Sequence, residues 1–167
     1  KLPVPYGANG AINAEGEWLA YTPHSIEFRT WKRYRGGMAT DIWLFNLKNY
    51  SSKKITDWEG TDTHPMWNGK TLYYLSDAGP NHRLNIWFYN PETEEHKQIT
   101  HFAEYDVKFP SIGPGGNGEG EIVFQNGSTL YLLNLLTHQA KAVQVTIPGA
   151  RPKIRSQRVD ASKNLNN

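Results

Sequence analysis

Asp41-Ile42-Trp43-Leu44-Phe45-Asn46 is answered 44 residues later by Asn85-Ile86-Trp87-Phe88-Tyr89-Asn90, and after another 44 by Thr129-Leu130-Tyr131-Leu132-Leu133-Asn134. Ile55-Thr56 and Ile99-Thr100 keep the same spacing, with the looser Val143-Gln144 as the third copy. A fixed period of this length means that one supersecondary unit is copied along the chain.

Each copy reads as four short strands. In the second, His64 to Trp67, Thr71 to Leu75, Asn85 to Tyr89 and His96 to Thr100 are rich in aromatic and β-branched residues. Asn68-Gly69 marks a two-residue hairpin turn, and Asn90-Pro91-Glu92-Thr93 a turn in which proline fixes φ. The third copy runs through Phe109 to Ile112, Glu121 to Phe124, Thr129 to Leu133 and Lys141 to Val145. The first is read from Glu17 to Tyr21, Asp41 to Phe45 and Lys53 to Thr56, with an opening strand near Gly10 to Asn13. Four strands in roughly 40–45 residues, repeated, is the arithmetic of a β-propeller blade. No segment carries a helical period long enough to compete.

The expected fold is therefore all-β: a partial β-propeller of about three four-stranded blades, an incomplete six-bladed ring. Residues 1–60 form a partial blade with a long basic insertion, 61–104 the second blade and 105–148 the third. Residues 149–167 form a tail or ring-closing strand, with Arg151 to Arg155 as the strand candidate. Propellers typically close with about 4–8 blades, and open sheet edges attract further strands. The expected partners are thus the remaining blades of a longer protein or a second copy of the chain.

The composition agrees with a turn-rich β protein. The chain has 167 residues, 38% hydrophobic and 13% aromatic, with 15 Gly and 10 Pro. Lys and Arg number 18 against 16 Asp and Glu, a balance that gives no reason to expect a nucleic-acid partner. The charge is uneven all the same. Seven bases face two acids between Glu27 and Lys54, and nine acids face three bases between Asp57 and Asp106. No cysteine is present, which excludes disulfides, thiolate zinc sites and cysteine nucleophiles. No apolar run of about 18 residues is present to span a membrane. The start at Lys1 lacks a signal-peptide core and reads as the middle of a longer protein. The chain is expected to be soluble. A cytoplasmic and a periplasmic location are both compatible, and the sequence selects neither.

Few signals carry chemistry. Trp31-Lys32-Arg33-Tyr34-Arg35-Gly36-Gly37 interrupts the period with three bases, two aromatics and a Gly-Gly pivot. Cations interleaved with aromatics can hold a carboxylate or a nucleic-acid backbone, so Trp31, Lys32, Arg33, Tyr34 and Arg35 are the candidate contact residues. The bland alternative is a packed loop anchored by its rings, with the bases in water. Gly113 to Gly118 matches G-x-G-x-x-G in form but leads into a strand, so it is an inter-strand loop and not a dinucleotide site. The six histidines are scattered, and His96 and His101 make a poor metal pair. His64, before a proline in a blade's first strand, is expected as a core or rim histidine. No G-x-S-x-G elbow appears. No catalytic residue, metal or cofactor is assigned.

The Trp31 to Gly37 string, closely followed by Asp41-Ile42-Trp43, resembles the tricorn protease family, in the second half of its first, six-bladed propeller. Tyr73 to Asp77, Ile99 to Phe102 and Ile122 to Tyr131 resemble the same region, and the likeness runs from about Gly7 to Ser162. The resemblance implies a large serine peptidase that degrades oligopeptides. Its catalytic serine and histidine lie far downstream of this propeller, and none maps onto these residues. The implied role is structural, guiding substrates or products, with no catalysis by this segment alone. In a chain that serves a peptidase, Trp31, Lys32, Arg33, Tyr34 and Arg35 become candidate peptide contacts. The alternative is a stand-alone propeller of TolB or WD40 type that binds a protein or peptide. An independent enzyme is disfavoured, because no coherent acid–base or metal set is present.

Overall fold

The computed structural model describes residues 1–26 and 29–149, together with residue 162. Its twelve strands form three antiparallel four-stranded meanders. The first contains β1 (Ala8–Ile12), β2 (Trp18–Thr22), β3 (Trp43–Asn46) and β4 (Ser52–Lys54). The second contains β5 (Asp62–Asn68), β6 (Thr71–Ser76), β7 (Asn85–Asn90) and β8 (Glu95–Gln98). The third contains β9 (Val107–Gly113), β10 (Glu121–Asn126), β11 (Thr129–Asn134) and β12 (Ala140–Val143). Each sheet is one propeller blade, and the first has all four strands. The ring-closing strand expected at Arg151 to Arg155 falls outside the described residues.

The blades stack through their faces. Ala20 and Leu44 of blade 1 pack on Leu72, Tyr74 and Tyr89 of blade 2. The opposite face of blade 2, with Tyr73, Leu75 and Ile86, packs on Ile122, Phe124 and Leu133 of blade 3. Period-2 alternation produces this division, since Leu72 and Tyr74 face one neighbour while Tyr73 and Leu75 face the other. Among the described residues the outer face of blade 3 is uncovered, and Val123, Leu130 and Leu132 are exposed there. The first strands β1, β5 and β9 touch across the blades and are innermost.

The echo now has a physical cause at each position. Asn46, Asn90 and Asn134 open the turns between third and fourth strands. Their Oδ1 atoms accept backbone N–H bonds from Lys48 and Asn49, from Glu92, and from Leu136 and Thr137. Each turn then passes through a left-handed residue: Tyr50, Glu94 and His138, again 44 apart. Thr56 and Thr100 accept the N–H of Ile42 and Ile86 at 2.9 and 2.8 Å. These hydroxyl bonds take the chain off the ladder, so β4 and β8 end at Lys54 and Gln98, short of the Ile-Thr pairs the sequence places inside them. The first hairpin turn is also displaced by one residue. Its loop is Gly69-Lys70, with Gly69 at φ 54° in the first central position, as in a type II′ turn.

Each innermost strand carries a bulge that the period does not reveal. The register slips between Ala8 and Ala11, between Thr63 and Met66, and opposite Val123 to Gln125. The residues at the slips, Asn9, His64 and Phe109, all have positive φ. Pro65 and Pro110 follow two of them, where the missing N–H costs no ladder bond.

Candidate functional site

In a four-stranded meander the second-to-third and the fourth-to-next-first connections share one end of the blade. At this end the second-to-third connections span residues 23–42, 77–84 and 127–128 in successive blades. The basic insertion is the first of these, and it crosses over the ends of blades 2 and 3.

Two carboxylates, Asp77 buried and Asp106 largely so, hold it there. Asp77, at the end of β6, accepts the Trp58 indole N–H at 2.7 Å and the Thr61 N–H at 2.9 Å on one oxygen, and Arg35 Nη1 at 3.0 Å on the other. Arg35 also lies over the Trp58 ring, which stacks on His82. Gly60 makes room for the cluster: a Cβ there would stand 2.3 Å from Asp77 Oδ1 and 2.4 Å from Arg35 Nη1. Asp106, just before β9, accepts the Leu84 N–H at 3.1 Å and pairs with Lys32 at 3.1 Å and Arg33 at 3.7 Å. Arg33 Nε donates to the His82 carbonyl as well. Arg29 is laid over Trp31, and Trp31 meets Tyr34 edge-on at 4.6 Å.

Beneath the insertion is a cavity of about 200 Å³. Leu75, Leu84 and Val107 supply apolar wall, Trp31 and Tyr34 aromatic surface, and the bulge residues His64 and Phe109 reach it from the innermost strands. A second cavity of about 170 Å³ adjoins it toward blade 3 and includes Glu104, Tyr105, Gln125 and Gly127. Lys32, Arg33, Asp106 and Lys108 line both.

Of the five residues singled out in the sequence, Trp31, Lys32, Arg33 and Tyr34 line the first cavity. Arg35 is turned away, onto Asp77. The structure adds Asp77, Asp106, Lys108 and Phe109 to this group. Phe109-Pro110 was the one available signal for the last, because it matches His64-Pro65 at a spacing of 45. Among the described residues no group of three His, Cys, Asp or Glu side chains is placed to hold a metal ion, and no helix is long and apolar enough to cross a membrane.

Asp62 stands apart from this chemistry. It begins β5, is 1% exposed, and has its backbone N–H and carbonyl bonded to Thr40 of blade 1. Among the described residues neither carboxylate oxygen closes a hydrogen bond of good geometry. Burial pushes the carboxyl up to about 7; the nearby Ser76 and Thr56 hydroxyls act against this, and the charges of Asp41 and Asp77 add to it.

The arrangement defines a segment of a β-propeller whose basic insertion covers a cavity at the loop-bearing end of the blades. The chain belongs to the tricorn protease family: residues 1–139 match the tricorn protease N-terminal beta propeller domain. It is 21% identical over 165 residues to a tricorn protease homolog of Saccharolobus solfataricus, covering 98% of this chain and 15% of that protein. Among solved structures, the tricorn protease matches 83% of this chain with a TM-score of 0.64 at 22% identity, and this chain covers 13% of it. TolB from Acinetobacter baumannii matches 83% with a TM-score of 0.60 at 18% identity, and 32% of its chain is covered. These structural likenesses speak to the fold. The chain thus spans about a seventh of its curated relative.

Proposed function

We propose that this propeller segment serves a tricorn-type serine peptidase by guiding oligopeptide substrates or products past its loop-bearing end, without catalysis of its own. The observation that carries this reading is the cavity beneath the insertion, where cation, aromatic and apolar groups from all three blades converge. Arg33 faces the cavity, whereas Arg35 is committed to Asp77. The peptide-facing role therefore falls to Trp31, Lys32, Arg33 and Tyr34, and the structural role to Arg35. The remaining blades and the catalytic region of the parent protein are the partners this reading requires.

Turnover of a peptide-length series by the full-length polypeptide is the test. Arg33→Ala is expected to shift the preferred peptide length or lower kcat/KM by about tenfold, the size of one charge-assisted contact, while the loss of its partly exposed contacts with Asp106 and His82 costs no more than about 1 kcal/mol of stability. Unchanged turnover and unchanged length preference would remove the guiding role. The rival, a TolB-like binding propeller with no peptidase region, predicts peptide binding with no hydrolysis at all.

A further inference from the structure

We infer that the two cavities form one bipartite site for an extended peptide: the first takes an apolar or aromatic side chain, and the second takes a carboxylate next to it. The inference rests on the reading that this end of the blades meets peptides, and it supplies the chemistry of what is met.

Size is the first argument. A cavity of about 200 Å³ falls below the roughly 300 Å³ at which small-molecule sites begin. It has room for one large side chain, not for a whole ligand. Its exposed apolar lining, from Trp31, Tyr34, Leu84 and Phe109, offers that side chain dispersion contacts. The peptide must continue outside, and the adjoining cavity of about 170 Å³ is where it would go.

Charge is the second. Arg29, Lys32, Arg33 and Lys108 face the joined cavities against Asp77, Asp106 and Glu104. Asp77 is already engaged by Arg35, Trp58 and Thr61. Asp106 alone is shared by Lys32 and Arg33. Lys108 makes no ion pair among the described residues and stands exposed on the shared wall. With Asp77 engaged by Arg35, the four cations face only Asp106 and Glu104, and Lys108, on the wall shared by the apolar and the polar compartment, has no anion among the described residues.

Placement is the third. The bulge that Phe109 shares with Asn9 and His64 turns an aromatic ring, 69% exposed, toward the first cavity. A peptide side chain in the cavity would give that ring apolar contact.

The carboxylate can come from an acidic side chain or from a peptide C-terminus, and the probes separate the two. Calorimetric titration of the full-length polypeptide would use N-acetylated, C-amidated Ala-Phe-Glu and Ala-Phe-Gln, and N-acetylated Ala-Phe with a free carboxylate, each checked for intactness afterwards. At low salt one or both of the acidic probes should bind about fivefold tighter than Ala-Phe-Gln, the scale of a partly exposed ion pair. The preference should fade toward 0.5 M salt as screening sets in. Lys108→Gln should erase the preference while leaving the neutral peptide's affinity in place. Phe109→Ala should weaken all three probes alike. Equal affinity of acidic and neutral peptides, or a preference that survives Lys108→Gln, would overturn the charged half. Failure of every peptide to bind at millimolar concentration would overturn the whole site. The guiding role fails separately: a protein that hydrolyses peptides with Arg33-dependent length preference, yet shows no acidic preference, keeps that role and loses this site.

Discussion

The two ends of these blades are built on different rules. At the end that carries the third-to-fourth strand turns, every copy solves the same local problem with the same asparagine and the same left-handed residue, 44 positions apart. At the other end the second-to-third connections occupy residues 23–42, 77–84 and 127–128, and no two copies are alike. The third-to-fourth strand turns are held by bonds between residues two to four apart. The insertion is held by carboxylates reaching across blades, with separations of 42 and 74 residues. Repetition thus marks what the backbone needs locally, and irregularity marks where the insertion joins the blades.

If the irregular end joins the blades, its carboxylate hubs should dominate stability. Asp77→Ala leaves the Arg35 guanidinium, the Trp58 indole N–H and the Thr61 N–H without their acceptor, in a place where Asp77 is 3% exposed. Breaking a buried pair by removing one partner costs about 3–5 kcal/mol. The value here should fall near the lower limit, because the Arg35 side chain keeps 26% of its surface in water. Urea unfolding followed by tryptophan fluorescence reads this directly. A loss below about 1 kcal/mol, typical of a surface pair, would mean that the insertion merely rests on blade 2.

Asp62 sharpens the comparison through pH. Its folded carboxyl titrates near 7, well above the ordinary carboxylate value of about 4. The folded state therefore holds the proton more tightly than the unfolded one. The stability it supports is complete below about pH 4 and declines as pH rises toward 7, by up to roughly 1.4 kcal/mol per pH unit. Asp62→Asn keeps the shape and removes the titration. The variant's advantage over the parent should grow by about 2–3 kcal/mol between pH 5 and pH 8. Parallel pH–stability curves for the two proteins would show that this carboxyl is not held neutral at the junction of blades 1 and 2.

Much of the regular architecture was legible because its causes are local. The Ile-Thr echo fades at Val143-Gln144, and the reason is now visible: the Thr56 and Thr100 hydroxyls accept a backbone N–H from the third strand, and the third copy has no threonine there. The bulges at Asn9, His64 and Phe109 were hidden, because Asn-Gly, His-Pro and Phe-Pro share a backbone need and no side-chain type. The site was legible by half. The cation–aromatic string marked the loop that covers the cavity, but nothing in it told Arg33 from Arg35. That division is made by Asp77 and Asp106, which lie 42 and 73 residues further on. Lys108 drew no notice for the same reason: its meaning comes from the two cavities that meet at it.

The smallest expected effects belong to the regular end, and they should be ordered by local bonding alone. Asn134 Oδ1 accepts from the N–H groups of Leu136 and Thr137 and from the Thr137 hydroxyl. Asn90 Oδ1 accepts from the N–H of Glu92, and Pro91 already fixes one φ of its turn. Asn134→Ala should thus cost about 1 kcal/mol, the usual net worth of such bonding. Asn90→Ala should cost about half that, since proline has already reduced the freedom of the unfolded turn. Neither change should alter peptide binding, because both turns lie at the end of the blades opposite the insertion. If Asn90→Ala proved as costly as Asp77→Ala, or if either turn variant moved the affinity for an acidic peptide, the two ends would not be independent and the division of labour between them would fail.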